Sequence, residues 1–225
     1  MRLKVVLLGR MDYKEALDLQ GKLSILRQKK KIENTLLMLE HPPVITLGKR
    51  GVYSNIIVSK EVLEANGIRI FEVSRGGDVT YHGPGQIVGY PIIDLKDINK
   101  GVKDFVWGIE EVFIRLLKKQ YGITARRDEK KYTGVWVGGE KITAVGIAVK
   151  HWVTMHGFAF NVNTNLAHYD WINPCGITDR GVTSLEKLLG RPQDVNELNE
   201  IIIDYFCEIF GFKPEIIDRR SLWET

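Results

Sequence analysis

VTYHGPGQIVGYPIIDL, residues 79 to 95, decides how the chain is read. Val79 to His82 is a β-branched and aromatic run, Gly83-Pro84-Gly85 carries turn chemistry, and Gln86 to Leu95 returns to an apolar strand pattern. The spacing predicts strand, turn and strand, so the sheet is expected to rest on local reversals.

The same reading extends in both directions. Upstream, residues 3 to 8 alternate as a weak strand, and Asp12 with Glu15 forms a capping box for a helix to about Lys31, with Ala16, Leu19, Leu23 and Leu26 as its core stripe. TLLMLE (35 to 40) and VITLG (44 to 48) read as strands separated by His41-Pro42-Pro43. Ser59 caps a short helix ending at Gly67, and IRIFEV (68 to 73) resumes the sheet. Downstream, Phe105 to Tyr121 repeats apolar residues at helical spacing and stops at Gly122. Residues 132 to 163 hold three β-branched or aromatic runs broken at Gly138-Gly139 and at a polar bend, an antiparallel meander. Val195 to Phe210 is the last helix, with Leu198, Ile202, Tyr205 and Ile209 on one stripe and Ile203, Phe206 and Phe210 beside it. Hairpins with helices set between them predict an α+β class, a mixed and mostly antiparallel sheet flanked by helices. A doubly wound parallel sheet is not supported.

The 225 residues suit one large domain, with a small helical C-terminal subdomain from about Arg191 left open. Two cysteines, neither in a CxxC or Cys/His zinc spacing, indicate a reduced, cytoplasmic protein without a disulfide framework or metal site. The N-terminal apolar run, Val5 to Leu8, is too short for a signal peptide or membrane span. Basic residues cluster at Lys29 to Lys31, Arg126-Arg127, Lys130-Lys131 and Arg219-Arg220. Such clusters are solvated faces or steer an acidic partner. Nucleic acid is disfavoured, because no basic stripe interleaves with aromatics.

Four glycine-bearing segments could carry chemistry: RGGDVTYHGPGQ (75 to 86), GGEKITAVG (138 to 146), MHGFAFNVN (155 to 163) and NPCG (173 to 176). Gly76, Gly77, Gly83 and Gly85 allow close backbone approach to a ligand, and Arg75, Thr80, His82 and Gln86 lie among them. GVWVGGEK only mimics a phosphate loop, since Glu140 replaces the required lysine. Lys141 instead opens a largely apolar strand; it either snorkels to solvent or lies in a dry cleft with a lowered pKa. Cys207 shares an apolar helix stripe with Ile203 and Phe210 and reads as a core thiol. Cys175, between Pro174 and Gly176 in a loop, can be presented to react. Only a thiolate attacks, and His82, His156 and Lys141 are its candidate partners. A histidine partner points to a thiol protease or transferase, a lysine partner to acyl transfer through a thioester, and spacing does not choose between them. His41, His151 and His168 read as surface or capping residues.

RGGDVTYHGPGQIVGYPIIDL, joined in order by EHPPVITLG, EKITAVGI, HGFAFNVN and INPCGI, resembles the octanoyltransferases, also called lipoyl(octanoyl) transferases or lipoate-protein ligase B. The resemblance covers roughly residues 36 to 185. It implies one domain over 1–225 with a biotin and lipoate ligase-like, class II synthetase-related fold. It also implies transfer of an octanoyl group from acyl carrier protein to a specific lysine, through an acyl-enzyme thioester and without ATP or another cofactor. The implied acceptors are lipoyl domains of 2-oxoacid dehydrogenase complexes and the glycine cleavage H protein. By position, Cys175 matches the acylated cysteine and Lys141 its dyad partner. Arg75, Gly76, Gly77, Asp78, Val79, Thr80, Tyr81 and His82 match pocket-lining residues, as do Ala144, Val145, Gly146, Gly157, Phe158 and Ala159. A serine is more usual in the family at Ala144. The rivals are an ATP-dependent lipoate or biotin ligase of the same fold, against which Cys175 argues, and a non-catalytic carrier-binding module.

Overall fold

The computed structural model describes residues 1–128, 132–173 and 180–222. In chain order its elements are β1 (Arg2–Arg10), α1 (Tyr13–Gln28), β2 (Thr35–Glu40), β3 (Val44–Leu47), α2 (Lys60–Ala65), β4 (Arg69–Glu72), β5 (Val79–His82), β6 (Gln86–Ile92), α3 (Val102–Tyr121), β7 (Arg126–Arg127), β8 (Val135–Val137), β9 (Glu140–Lys150), β10 (Val153–Asn161), α4 (Leu185–Leu189), α5 (Val195–Phe210) and β11 (Lys213–Ile216). An eight-stranded mixed sheet runs β11-β1-β2-β6-β10-β9-β8-β7, and a three-stranded sheet runs β4-β3-β5. The class is α+β, with a mixed, largely antiparallel sheet flanked by helices, and β1 is the strand that pairs in parallel with both neighbours.

Alternation along β2 shows how the large sheet is covered on both faces. Leu36 and Met38 point into a cluster with Phe105, Phe113, Ile202 and Phe206 from α3 and α5. Leu37 and Leu39 point the other way, onto Ala16, Leu19 and Leu23 of α1. A strand buried on both faces reads as a continuous apolar run, which is why TLLMLE has no polar alternation. Helix α1 is capped by the Asp12 carboxylate, which accepts from Lys14 N and Glu15 N, and it ends three residues early because Lys30 turns left-handed. Leu26 is only half-buried on it. Arg27 takes the inward place beside Asn34 and Asp97.

The stretch 79 to 95 forms the strand, turn and strand read from the sequence, but not as a hairpin. Gly83-Pro84-Gly85 does make a turn, with Gln86 N donating to Gly83 O at 3.2 Å and Gly85 at φ 80°, the type II pattern. Yet the strands on either side do not pair. β5 lies antiparallel to β3 in the small sheet, whereas β6 lies between β2 and β10 in the large one. The turn therefore carries the chain from one sheet to the other.

The C-terminal segment adds a strand that the sequence reading lacks. β11 joins the sheet edge beside β1, with Pro214 at the one kind of position where a strand proline costs nothing. Phe206, Phe210 and Phe212 enter the same apolar cluster as Leu3 and Val5. Cys207 is buried there, and burial pushes its thiol up to about 11. Among the described residues no helix is long and apolar enough to cross a membrane.

Candidate active site

A cavity of about 470 Å³ opens between the small sheet and one end of the large one, within the size range of small-molecule sites. From the small sheet and the turn before β5 come Arg75, Gly76, Gly77, Asp78, Val79, Thr80 and His82. β9 supplies Lys141, Ala144, Val145, Gly146 and Ile147, and β10 supplies His156, Gly157, Phe158 and Ala159. Three segments far apart in sequence thus converge. Tyr81 is the exception among the candidate lining residues: its ring lies in the small sheet's own core, against His168 and Tyr169. Cys175 lies outside the described residues. The chain reaches that segment at Asn173, whose N–H donates to Asn55 O, and emerges to Val182, which lines the cavity.

Lys141 is 9% exposed, so its ammonium is in the cleft and does not snorkel to solvent. Its strand begins at the predicted two-residue turn, where Gly138 and Gly139 both take positive φ (58° and 95°). A register shift follows, with Val135 opposite Thr143 but Trp136 opposite Lys141. The extra residue on β9 swings the Lys141 side chain to the same side as the Trp136 ring.

Arg75, 8% exposed, is a clamp as well as a lining residue. Its Nη2 donates to Thr46 O at 2.7 Å and to Thr46 Oγ1 at 2.9 Å, fixing the turn before β5 to β3. Gly76 N donates to Ile147 O at 2.9 Å, fixing the same turn to β9.

Two buried histidines, His82 and His156, line the cavity, and a third, His41, packs against His82. His41 is no surface or capping residue: it is fully buried, and Nδ1 must carry its proton because Met11 O, at 2.8 Å, can only accept. Its Nε2 then accepts from Tyr90 OH at 2.8 Å. Met11 precedes α1, so the HPP break packs inward against that helix's entry. His82 Nδ1 donates to Gln86 Oε1 at 2.8 Å, while Gln86 Nε2 donates to Asn161 Oδ1 at 2.9 Å. His156 Nε2 lies 3.1 Å from Ser74 Oγ, and its backbone is left-handed at φ 58°, held by its N–H to Gln20 Oε1 at 2.8 Å. His151 is exposed, and His168 is half-buried against the Tyr81 and Trp171 rings.

Burial lowers all three imidazoles, His41 to about 4, His82 to about 3 and His156 to about 4. The nearby Arg75 charge adds to the effect at His82 and His156. They are neutral at pH 7, while in the unfolded chain they titrate near 6.5. Between these limits the unfolded chain binds more protons, so stability is full above about pH 6.5 and falls as pH drops towards 4. Urea melts at pH 7 and pH 5 are expected to differ by several kcal/mol in unfolding free energy. Equal stability at the two pH values would show that these rings are not buried neutral.

Residues absent from the sequence reading complete the walls. Lys49 and Arg50 form a cationic rim; their N–H groups donate to Arg75 O and Gly77 O, each at 3.0 Å. The GKRG pattern at 48 to 51, two cations between glycines, was the available signal. Tyr13, Tyr90, Val106 and Tyr169 also line the cavity, and nothing local in sequence marks them. Of the basic clusters, Arg127 is engaged inside the fold, with Nη2 2.6 Å from Glu111 Oε2 and its guanidinium 4.0 Å from the Trp107 ring centre. Arg126, Lys29 to Lys31, Arg219 and Arg220 are exposed.

Residues 12–207 match the family model of the lipoyl protein ligase A/B catalytic domain. An octanoyltransferase from Caldicellulosiruptor saccharolyticus is 60% identical over 100% of this chain and 95% of its own. The crystal structure of a lipoate-protein ligase A bound with ATP shares the fold with a TM-score of 0.77 at 17% identity, covering 100% of this chain and 95% of that one. The biotin protein ligase from Aquifex aeolicus is more distant, with a TM-score of 0.53 at 12% identity over 93% and 69% of the two chains. The chain belongs to the octanoyltransferase family, acyltransferases built on the lipoyl protein ligase A/B catalytic domain.

Proposed function

We propose that the protein moves an octanoyl group from the phosphopantetheine thioester of acyl carrier protein to a specific lysine of lipoyl domains, through an acyl thioester on Cys175. The observation that carries this reading is the buried Lys141 ammonium in a cavity walled by Val79, Val145, Ile147 and Phe158. Apolar walls around a buried ammonium suit a fatty acyl chain whose reacting end needs a charge partner.

The reaction divides into two exchanges. Lys141 stabilises the Cys175 thiolate, which attacks the thioester carbonyl; a C–S bond forms, and the carrier's thiolate leaves and takes up a proton. The incoming lysine amine then attacks the acyl-enzyme, an amide C–N bond forms, and the Cys175 thiolate leaves. Once the sulfur is acylated and neutral, Lys141 can hand on its own proton and accept the one the amine loses. Thioester exchange is nearly balanced and aminolysis runs downhill, so neither step calls for ATP. The neutral histidines orient the walls without adding a competing positive charge.

The test is one incubation with octanoyl carrier protein and no ATP, followed by intact mass. An octanoyl adduct that hydroxylamine cleaves and that Cys175→Ser does not form as a thioester is the expected result. An adduct only with ATP would point to a ligase, and no adduct under either condition to a carrier-binding module.

A further inference from the structure

Lys141 is not simply buried; it is seated. Its Nζ lies 4.8 Å from the centre of the Trp136 ring, a cation on a π face. Beneath its stem is Gly134, at φ 132°, where an added Cβ would come within 3.4 Å of Lys141 Cδ and Cε and 2.5 Å of Thr143 O. The Gly134 N–H donates to Glu110 Oε1 at 2.8 Å, so a carboxylate from α3, itself almost wholly buried, closes the other side. The lysine backbone is clamped as well: its N–H donates to Gly181 O at 3.0 Å, and its carbonyl accepts from Thr183 N at 2.9 Å.

Trp136 presents its ring face to Lys141. It belongs to none of the three apolar clusters, although it is 2% exposed. Its Nε1–H is buried with no acceptor among the described residues. Its ring meets two charges, Lys141 and Arg180 with Cζ 5.3 Å from the ring centre, and the Tyr132 ring at 6.4 Å between centres. Two cations at one indole repel each other, and each has an anion against it. Asp128 pairs with Arg180, while burial raises the Glu110 carboxyl and the Gly134 N–H, Arg127, whose Nε is 3.3 Å from Glu110 Oε2, and the Lys141 charge partly offset it. Among the described residues, ionisable groups nearby include Tyr132, under Arg180, and Glu140, whose carboxylate is bonded by Lys187 at 2.8 Å.

We propose that Trp136 and Glu110 are positioning residues for Lys141, the indole face and the buried carboxylate together keeping its ε-amine charged and held in the cavity. The inference deepens the function proposed above and rests on it for what Lys141 does in turnover, though not for the charge of Lys141 itself. Desolvation alone would strip the proton from a buried lysine; a π face and a carboxylate oppose that without donating a competing proton.

The ε-amine of Lys141 can be titrated directly by NMR on the full chain labelled at lysine, with Lys141→Met assigning the signal. Trp136→Leu is expected to lower its pKa by about 0.5 to 1.5 units, Trp136→Phe by less because an aromatic face remains, and Glu110→Gln by at least about 0.5 unit. The alkaline limb of the octanoylation rate, where Lys141 loses its proton, should move to lower pH in step, with the KM for donor unchanged. Should Trp136→Leu fail to fold, Trp136→Phe and Glu110→Gln decide the matter. A Lys141 titration unmoved in both overturns the proposal. A wild-type protein that never acylates would sink the function above but leave this titration to be read on its own.

Discussion

Lys141→Met is expected to lower single-turnover octanoylation by about 10² to 10⁴ fold, the range general acid–base and charge-partner groups contribute, while the protein stays folded. Methionine matches the length of the lysine stem and can lie against Gly134 and Trp136, so the substitution removes charge and little packing. On the mechanism proposed above the effect is large because one lysine serves both exchanges: without it the thiol would stay protonated, and the acceptor amine would have no base. The measurement is the rate of adduct formation from octanoyl carrier protein by intact mass, beside thermal melts of both proteins. A variant that acylates within a few fold of wild type would remove Lys141 from the chemistry. A variant that fails to melt cooperatively would show a lysine needed for the fold.

Gly157→Ala carries the largest expected loss of stability, more than about 4 kcal/mol, enough to unfold most of a marginally stable domain. A Cβ at Gly157 would lie 2.0 Å from Gly89 O and 2.7 Å from Pro91 Cδ. Both belong to β6, the neighbour of β10 in the middle of the large sheet, so the obstacle is main chain, which cannot rotate aside. Urea denaturation of the soluble fraction, or recovery of soluble protein, measures the loss. Gly21→Ala is the control: nothing lies within 4 Å of its new Cβ, and in the middle of α1 it is expected to stabilise by up to about 1 kcal/mol. Comparable melts for Gly157→Ala and wild type would mean that β6 and β10 can separate at that point.

Much of this architecture was legible because it follows local periods. α3 and α5 repeat apolar residues every three or four positions, and the β8 to β10 meander carries two turns that glycine and a polar bend announce. Gly83-Pro84-Gly85 misled for a physical reason: a type II turn looks the same whether the next strand folds back or crosses to another sheet. That choice depends on β3, thirty-odd residues earlier. β11 was hidden by Pro214 and by polar neighbours that suit an edge strand. His41 was misjudged because its burial comes from Met11 and Tyr90, both distant in sequence. At the site, the glycine segments marked most of the walls, but the Tyr81 ring lies in the small sheet's own core, and the Trp136 seat depends on a one-residue register shift that no pattern of side chains reveals.

The crossing at residues 83 to 85 has an outcome beyond topology. The small sheet and the large one are joined by short crossings at 41–43 and 83–85, and the Gly76 N–H to Ile147 O bond ties them across the cavity. A greasy guest lodged between them would act as the missing layer of a sandwich. Occupancy would then tie the two sheets more firmly to each other.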